Sequence, residues 1–224
     1  MNLHYFSGPI WEALFRAIHV CLAVTLLALT SISFSYASER TERFVQDSLR
    51  KGYEILNDKG LSDIERIERF ERFLYTVVDF RRTALFTIGA YANRSHPDEI
   101  EEFVESFRRY ITATVKTNLE DVRDYSPVLR GSSDRAFDDS IVLVELTNLQ
   151  TQNGEGIQAA FRVRNDATDK PIIVDIQFEG IWLALTERAD YSSFLARNGG
   201  KLSALSEFLD RVVLESNMTD EIPE

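Results

Sequence analysis

The sequence predicts an α+β fold in which N- and C-terminal helices wrap a curved antiparallel sheet, with either a closed core or an apolar cavity between them. Apolar residues recur at helical spacing over residues 39–122 and again after residue 186, whereas they alternate over residues 157–178. Each alternating strand has one apolar face that something must cover, and the helices are the available elements. The chain also holds 15 Phe, 8 Tyr and 2 Trp. Pattern alone leaves two interpretations of this aromatic bulk, a closed Phe-rich core or a cavity.

Residues 1–37 are predicted to be a secretory signal peptide, which leaves a domain at residues 38–218 and a disordered acidic tail at residues 219–224. No charged residue lies between Arg16 and Glu39, and small residues at Ser35 and Ala37 suit a cleavage site. The alternative is an uncleaved membrane anchor, because about 20 apolar residues can span a bilayer. The signal segment contains the single cysteine of the chain, so no intrachain disulfide is expected.

Four helices are predicted in the first half of the domain. The first covers residues 39–58, and a capping box of Ser62 and Glu65 starts the second. A short third helix covers residues 80–91. The fourth is predicted to be capped by Ser95, with Pro97 in its first turn, and to run to about residue 122.

The next segment is predicted to be an antiparallel meander. Residues 125–139 are expected to form a loop or a short edge strand. Strands then follow at residues 141–149, 157–163 and 172–178, with turns at residues 153–156 and 165–170. The positions predicted to face the helices are Ile157, Ala159, Phe161, Val163, Ile172, Val174, Ile176 and Phe178.

Two helices complete the domain. Residues 181–185 read as a short apolar connection after the strands, and Thr186 is predicted to cap a helix that stops at residues 198–200. The last helix has its apolar stripe between Leu202 and Val213.

Composition and motifs argue against several functional classes. Lys and Arg total 25 against 36 Asp and Glu, a net charge of −11, so nucleic acid is not an expected partner. His96 is the only histidine after residue 37, and it stands at a helix start beside Pro97. The predicted cavity-facing strand positions carry no polar group. We therefore predict that the protein is not an enzyme and has no catalytic residue, no metal site and no cofactor.

Two segments carry a resemblance to a known family. The first is Asp79-Phe80-Arg81-Arg82, followed by Phe86, Gly89, Tyr91, Arg94 and Pro97, and the second runs from Glu179 to Arg188. In these positions the chain resembles the MlaC family of periplasmic phospholipid-binding proteins, also called the toluene-tolerance family. The resemblance spans residues 42–213. It departs at Ala92, where the family usually has Trp, and at Trp182, where it usually has Ser.

The resemblance implies a periplasmic, monomeric carrier that shuttles phospholipid between an inner-membrane ABC-type lipid transporter and an outer-membrane lipoprotein–porin complex. Such a carrier would maintain the lipid asymmetry of the outer membrane. The alternative is a lipid-binding accessory or scaffold at the inner membrane, because the sequence also looks like the hopanoid-biosynthesis-associated branch of this family. In either case the predicted lipid-binding residues are Phe86, Tyr91, Phe107, Ile111, Phe161, Phe178 and Trp182.

Overall fold

The computed structural model describes residues 39–117, 125–148 and 156–219, with side chains described as far as residue 216. The predicted signal peptide, residues 153–155 of a predicted turn and residues 220–224 of the predicted tail lie outside this part. Among the described residues, no helix combines the length and hydropathy needed to cross a bilayer.

A single five-stranded sheet runs through the second half of the domain, and its strands lie in chain order with every neighbouring pair antiparallel. The predicted meander is confirmed. The strands are β1 Tyr125–Ala136, β2 Asp139–Asn148, β3 Ile157–Asn165, β4 Pro171–Phe178 and β5 Ile181–Trp182. The expectation of a loop or short strand before β2 is wrong, because β1 is a 12-residue edge strand. Its Pro127 is tolerated because an edge strand has one side free of ladder hydrogen bonds.

Six helices surround this open sheet, which confirms the α+β fold class. They are α1 over residues 39–56, α2 Asp63–Val77, α3 Phe80–Ile88, α4 Pro97–Thr117, α5 Leu183–Arg197 and α6 Leu202–Thr219. A 3₁₀ turn, Gly89–Asn93, continues α3. The capping box at the start of α2 is confirmed, because Ser62 Oγ accepts from the Glu65 amide at 3.3 Å and Glu65 Oε2 accepts from the Ser62 amide at 2.9 Å.

Two predicted helix caps are wrong by one and by four residues. Helix α4 begins at Pro97, so His96 takes the cap position that was predicted for Ser95, and its amide donates to the Glu99 carboxylate at 3.0 Å. Helix α5 begins at Leu183, so Trp182 rather than Thr186 precedes it. The Asp175 carboxylate on β4 accepts from the Ala184 amide at 3.0 Å and supplies the cap from another element. A local sequence pattern cannot predict a cap that comes from another element of the fold.

Most buried side chains of the helices meet in one cluster away from the sheet. Helices α3, α4, α5 and α6 contribute Phe80, Ala84, Ile88, Phe103, Val104, Phe107, Tyr191, Leu195, Leu202, Leu205 and Leu209. We call this set the helical core. Its residues are at most 7% exposed, and the Arg109 guanidinium joins α4 to α6 through Asp210 at 2.8 Å.

A second and smaller cluster lies on the sheet. It contains Val45 from α1 with Val142, Val144, Val163 and Ile173 from β2, β3 and β4. A bulge in β4 sets its register: Arg162 pairs with Asp175, but the next residue, Val163, pairs with Ile173. Ile173 therefore takes the core position that simple alternation assigned to Ile172, and Asp175 turns towards the helices.

Candidate functional site: a two-lobed apolar cavity

The space between helices α1 and α2 and the sheet is not filled by side chains. It forms a cavity of about 440 Å³, which we call the large lobe. Its walls are almost wholly apolar and include Leu49, Leu56, Phe70, Phe73, Leu74, Val77, Phe161, Ile176 and Phe178. A volume of this size is typical of small-molecule and lipid sites.

A second cavity of about 190 Å³, the small lobe, lies between helices α3, α4 and α5 and strand β4. Six residues line both lobes: Val78, Ile111, Thr114, Ile173, Ile176 and Leu183. Of these, Thr114 and Leu183 are exposed to solvent. The two lobes therefore form one continuous site with an opening beside Leu183.

Helix α2 explains why the large lobe stays open. Its apolar stripe suggests a core helix, yet Val77 is its only buried residue. The rings of Phe70 and Phe73, with centroids 6.0 Å apart, line the lobe instead of packing into the sheet. Gly52 of α1 lies opposite these rings, and a Cβ there would stand 3.4 Å from the Phe70 ring. A glycine inside a helix costs about 1 kcal/mol relative to alanine, and here it leaves room for both rings.

Four of the seven predicted lipid-binding residues face this space. Ile111 lines both lobes, Phe107 lines the small lobe, and Phe161 and Phe178 line the large lobe. They come from α4, β3 and β4, which the fold brings together around the two lobes.

The other three predicted residues lie elsewhere. The ring of Phe86 lies under the Arg188 guanidinium, 4.8 Å from its carbon, and Tyr91 packs on the edge of the helical core. Trp182 is half-buried where β5 meets α5, and it lines neither lobe. The two resemblance motifs thus have a structural role as well, since Phe86 from one contacts Arg188 from the other, and a Cβ at Gly89 would stand 3.0 Å from the same guanidinium.

Sequence reasoning missed the cavity residues of α1 and α2 and the residue at the opening. Val45, Leu49, Phe70 and Phe73 belonged to visible stripes, but a stripe shows only which face is apolar and not whether that face is filled. Leu183 was assigned to a connection, whereas it is the first residue of α5.

The small lobe has polar groups at one side, contrary to the expectation that the strands offer none. Asp175 of β4 and Glu187 of α5 both line it. Burial raises the pKa of the Asp175 carboxyl, and hydrogen bonds from the Ala184 and Ile176 amides partly offset this effect. Burial also raises the pKa of Glu187, with a further increase from Asp190.

A tight hairpin stands at the opening. Strands β4 and β5 are joined by Glu179 and Gly180, with φ values of 46° and 83°, as a two-residue type I′ turn requires. Phe178 and Ile181 pair across the hairpin and are 39% and 60% exposed, and Leu183 is 45% exposed. The opening is therefore rimmed by apolar side chains in contact with water.

The site offers no metal centre. Within the described ranges, no group of three or more His, Cys, Asp or Glu side chains could hold an ion. This arrangement can bury the apolar chains of a ligand while the polar end of that ligand stays at the opening.

Comparison with known proteins identifies the fold and the family. The family described as MlaC protein matches residues 46–211, which is most of the chain. This chain belongs to the MlaC family. The match begins within α1 and contains every residue that lines the two lobes except Val45.

One solved structure with this fold is a phospholipid-binding protein from Ralstonia solanacearum, determined in complex with a phospholipid. It is 19% identical in sequence, and the superposition has a TM-score of 0.65 and covers 81% of this chain and 98% of that one. A search of curated proteins gives no match.

Proposed function

We propose that this MlaC-family protein binds a phospholipid in the two-lobed cavity and carries it through the periplasm. The observation that carries the proposal is the large lobe, an unfilled apolar space of about 440 Å³ in a domain whose helical core is closed. The phospholipid bound to the Ralstonia solanacearum protein of the same fold supports the assignment of ligand class.

The physical need for such a cavity follows from the ligand. Each buried CH₂ is worth about 0.8 kcal/mol, so two acyl chains in water cost on the order of 20 kcal/mol. A lipid cannot cross an aqueous space at a useful rate unless a protein covers its chains. The headgroup needs no cover, and the solvent-facing opening beside Leu183 leaves room for it.

The proposed cycle needs no chemistry of its own. The protein would receive lipid at one membrane complex and release it at another, with an inner-membrane ABC-type transporter and an outer-membrane lipoprotein–porin complex as the proposed partners. The net charge of −11 favours release from anionic membranes, because like charges repel. Export through cleavage after Ala37 remains part of this proposal.

Extraction of the native protein tests the binding step. The chain is expressed with its own N-terminal segment and purified without detergent. It is then denatured in organic solvent, and the extract is analysed by mass spectrometry. We expect about one diacyl phospholipid per protein. A protein free of lipid would contradict the proposal, and a polycyclic lipid in place of phospholipid would favour the hopanoid-associated alternative.

A transfer assay tests the carrying step. Donor vesicles with fluorescent phospholipid and acceptor vesicles without it are placed on two sides of a membrane that passes protein but not vesicles. The protein is expected to move label to the acceptor side. Binding without transfer would support an accessory or scaffold role instead.

A further inference from the structure

Glu187 occupies an unusual position in the site. It follows Leu183 by one helical turn on α5, so both side chains lie on the same face. Leu183 stands at the opening, and Glu187 lines the small lobe just inside it. Most of the wall around it is apolar, and Glu187 is one of the two carboxylates that line the small lobe.

The other polar groups of the small lobe are already engaged. The Asp175 carboxylate accepts amide hydrogen bonds from Ala184 and Ile176 at 3.0 and 2.9 Å. The Thr83 hydroxyl lies 2.9 Å from the carbonyl of Asp79 and 2.8 Å from that of Val174. Both groups stabilise the fold, and the positive charge of Arg162 also acts on the Asp175 carboxylate.

Glu187 has no such engagement with a cation or with the backbone. The side chains that influence it are the Tyr191 hydroxyl and the Asp190 carboxylate, and none of them is positive. The Tyr191 hydroxyl is buried beside Glu187, and among the described residues no atom stands in hydrogen-bond geometry to it. Tyr110, half-buried in the same wall, faces the same two carboxylates. In the described part of the chain, this partly buried anion therefore lacks a counter-ion.

Burying a carboxylate away from water without a cation costs free energy, unless a ligand supplies the positive charge. We propose that Glu187 binds the primary ammonium group of an aminophospholipid headgroup at the opening of the cavity. This inference rests on the proposed function and names the headgroup class that the site prefers.

The chemistry distinguishes headgroups by charge and by hydrogen-bond donors. A primary ammonium carries a positive charge and three N–H donors, and it can bind the carboxylate while the tyrosine hydroxyls stay beside it. A glycerol headgroup leaves the lipid with a net negative charge, which Glu187 and Asp190 repel. A choline headgroup has the positive charge but no N–H, so it should rank between the two. The phosphate stays outside in solvent in each case.

A competition experiment tests this preference. Delipidated protein is incubated with vesicles that contain equal amounts of phosphatidylethanolamine, phosphatidylcholine and phosphatidylglycerol with identical acyl chains. The protein is separated from the vesicles, and its bound lipids are quantified by mass spectrometry. We expect ethanolamine lipid to exceed glycerol lipid about two- to fivefold, the range for a partly exposed ion pair.

Three variants assign the preference to the carboxylate. Glu187→Gln keeps the shape of the side chain, and it should bring the ratio close to one while the total bound lipid stays constant. Glu187→Lys should reverse the order in favour of glycerol lipid. Asp190→Asn is the matched control, because it removes a negative charge three residues further along α5, on an exposed residue that does not line the cavity. This variant should keep most of the preference.

The outcomes separate this inference from the proposed function. A wild-type protein that binds all three lipids equally, or a preference that survives Glu187→Gln, would overturn the role of Glu187 and leave phospholipid binding intact. A protein that binds none of the three would overturn the proposed function itself. Thermal unfolding of each variant confirms that the comparison is made between folded proteins.

Discussion

The helical core and the sheet side of the domain are built from the same kinds of residue, yet the helical core borders only the small lobe, through Phe80 and Phe107, whereas the sheet side encloses the large lobe. In the helical core, Phe103, Leu195, Leu205 and Leu209 are at most 1% exposed, and their neighbours fill the space around them. On the sheet side, Phe70, Phe73 and Phe161 remain half-buried around a lobe of about 440 Å³. The difference shows that stability and binding are divided between two layers: one layer holds the domain together, and the other keeps its apolar surface for a ligand.

The largest contrast is expected within one strand. Val163 belongs to the sheet cluster and is 1% exposed, whereas Phe161, two residues before it, lines the large lobe. Val163→Asp should unfold the protein, since an unpaired buried carboxylate costs several kcal/mol. Phe161→Asp should leave the protein folded, because water can enter the lobe, but it should abolish co-purified lipid. Circular dichroism and lipid extraction measure the two effects.

Unfolding of both variants would contradict this prediction, because it would show that Phe161 belongs to the core. Phe161→Leu serves as the control, and it should retain both fold and lipid.

A second contrast separates two phenylalanines in helices. Phe103→Ala in the helical core should lower the free energy of unfolding by about 3–5 kcal/mol, because it removes a fully buried ring and leaves a cavity. Phe73→Ala should cost about 1–2 kcal/mol, because its ring already borders an open space. Urea unfolding of delipidated protein measures both values. Equal losses would show that the large lobe closes when it is empty.

A third contrast concerns carboxylates. Asp139, whose side chain is 10% exposed, pairs with Arg162 at 2.7 Å, whereas Glu187 has no cation. Burial acts to raise the pKa of Asp139, but the hydrogen bonds and charges of Arg162 and Arg164 outweigh it and hold the pKa below its usual value. This pair stabilises the protein above the unfolded-state pKa of about 3.9, and the contribution is lost as the pH falls through the folded-state pKa.

Asp139→Asn should therefore lower the free energy of unfolding by about 1–3 kcal/mol at pH 7, and the difference from wild type should shrink below about pH 4. Denaturant unfolding at a series of pH values measures it. Asp138→Asn, at the more exposed partner of Arg164, is the matched control with a smaller effect. A difference that stays constant down to low pH would show that packing, and not the ion pair, is lost.

The smallest contrast lies at the opening. Trp182 and Leu183 are neighbours, but only Leu183 lines the cavity. Trp182→Ser should lower the free energy of unfolding by about 1 kcal/mol and leave the bound lipid unchanged. Leu183→Ser should reduce the amount of lipid retained through purification. A changed lipid profile in Trp182→Ser would instead support the lipid-binding role that the sequence predicts for this residue.

The sequence by itself determined the elements and the family of this protein. The 3.6-residue and two-residue periods located the helices and the strands β2, β3 and β4, though not β1 or β5, because burial of one face requires those spacings in any fold. The capping box of Ser62 and Glu65 was readable because both partners lie within one turn. The segments at residues 79–97 and 179–188 were specific enough to indicate the MlaC family, which the match over residues 46–211 confirms.

Only the tertiary structure decided which apolar faces are filled and which are left open. The stripes of α2 and α4 look alike, yet α4 buries Phe103, Val104 and Phe107 in the helical core and reaches the large lobe only near its C-terminal end, whereas α2 buries Val77 alone and lines the large lobe. The difference arises because the fit between layers depends on contacts far apart in the chain. The bulge in β4 placed Ile173 and Asp175 by a shift of one residue, and Asp175 then capped α5 across the fold. Periodicity identifies a surface that avoids water, whereas packing in three dimensions decides whether protein or ligand covers it.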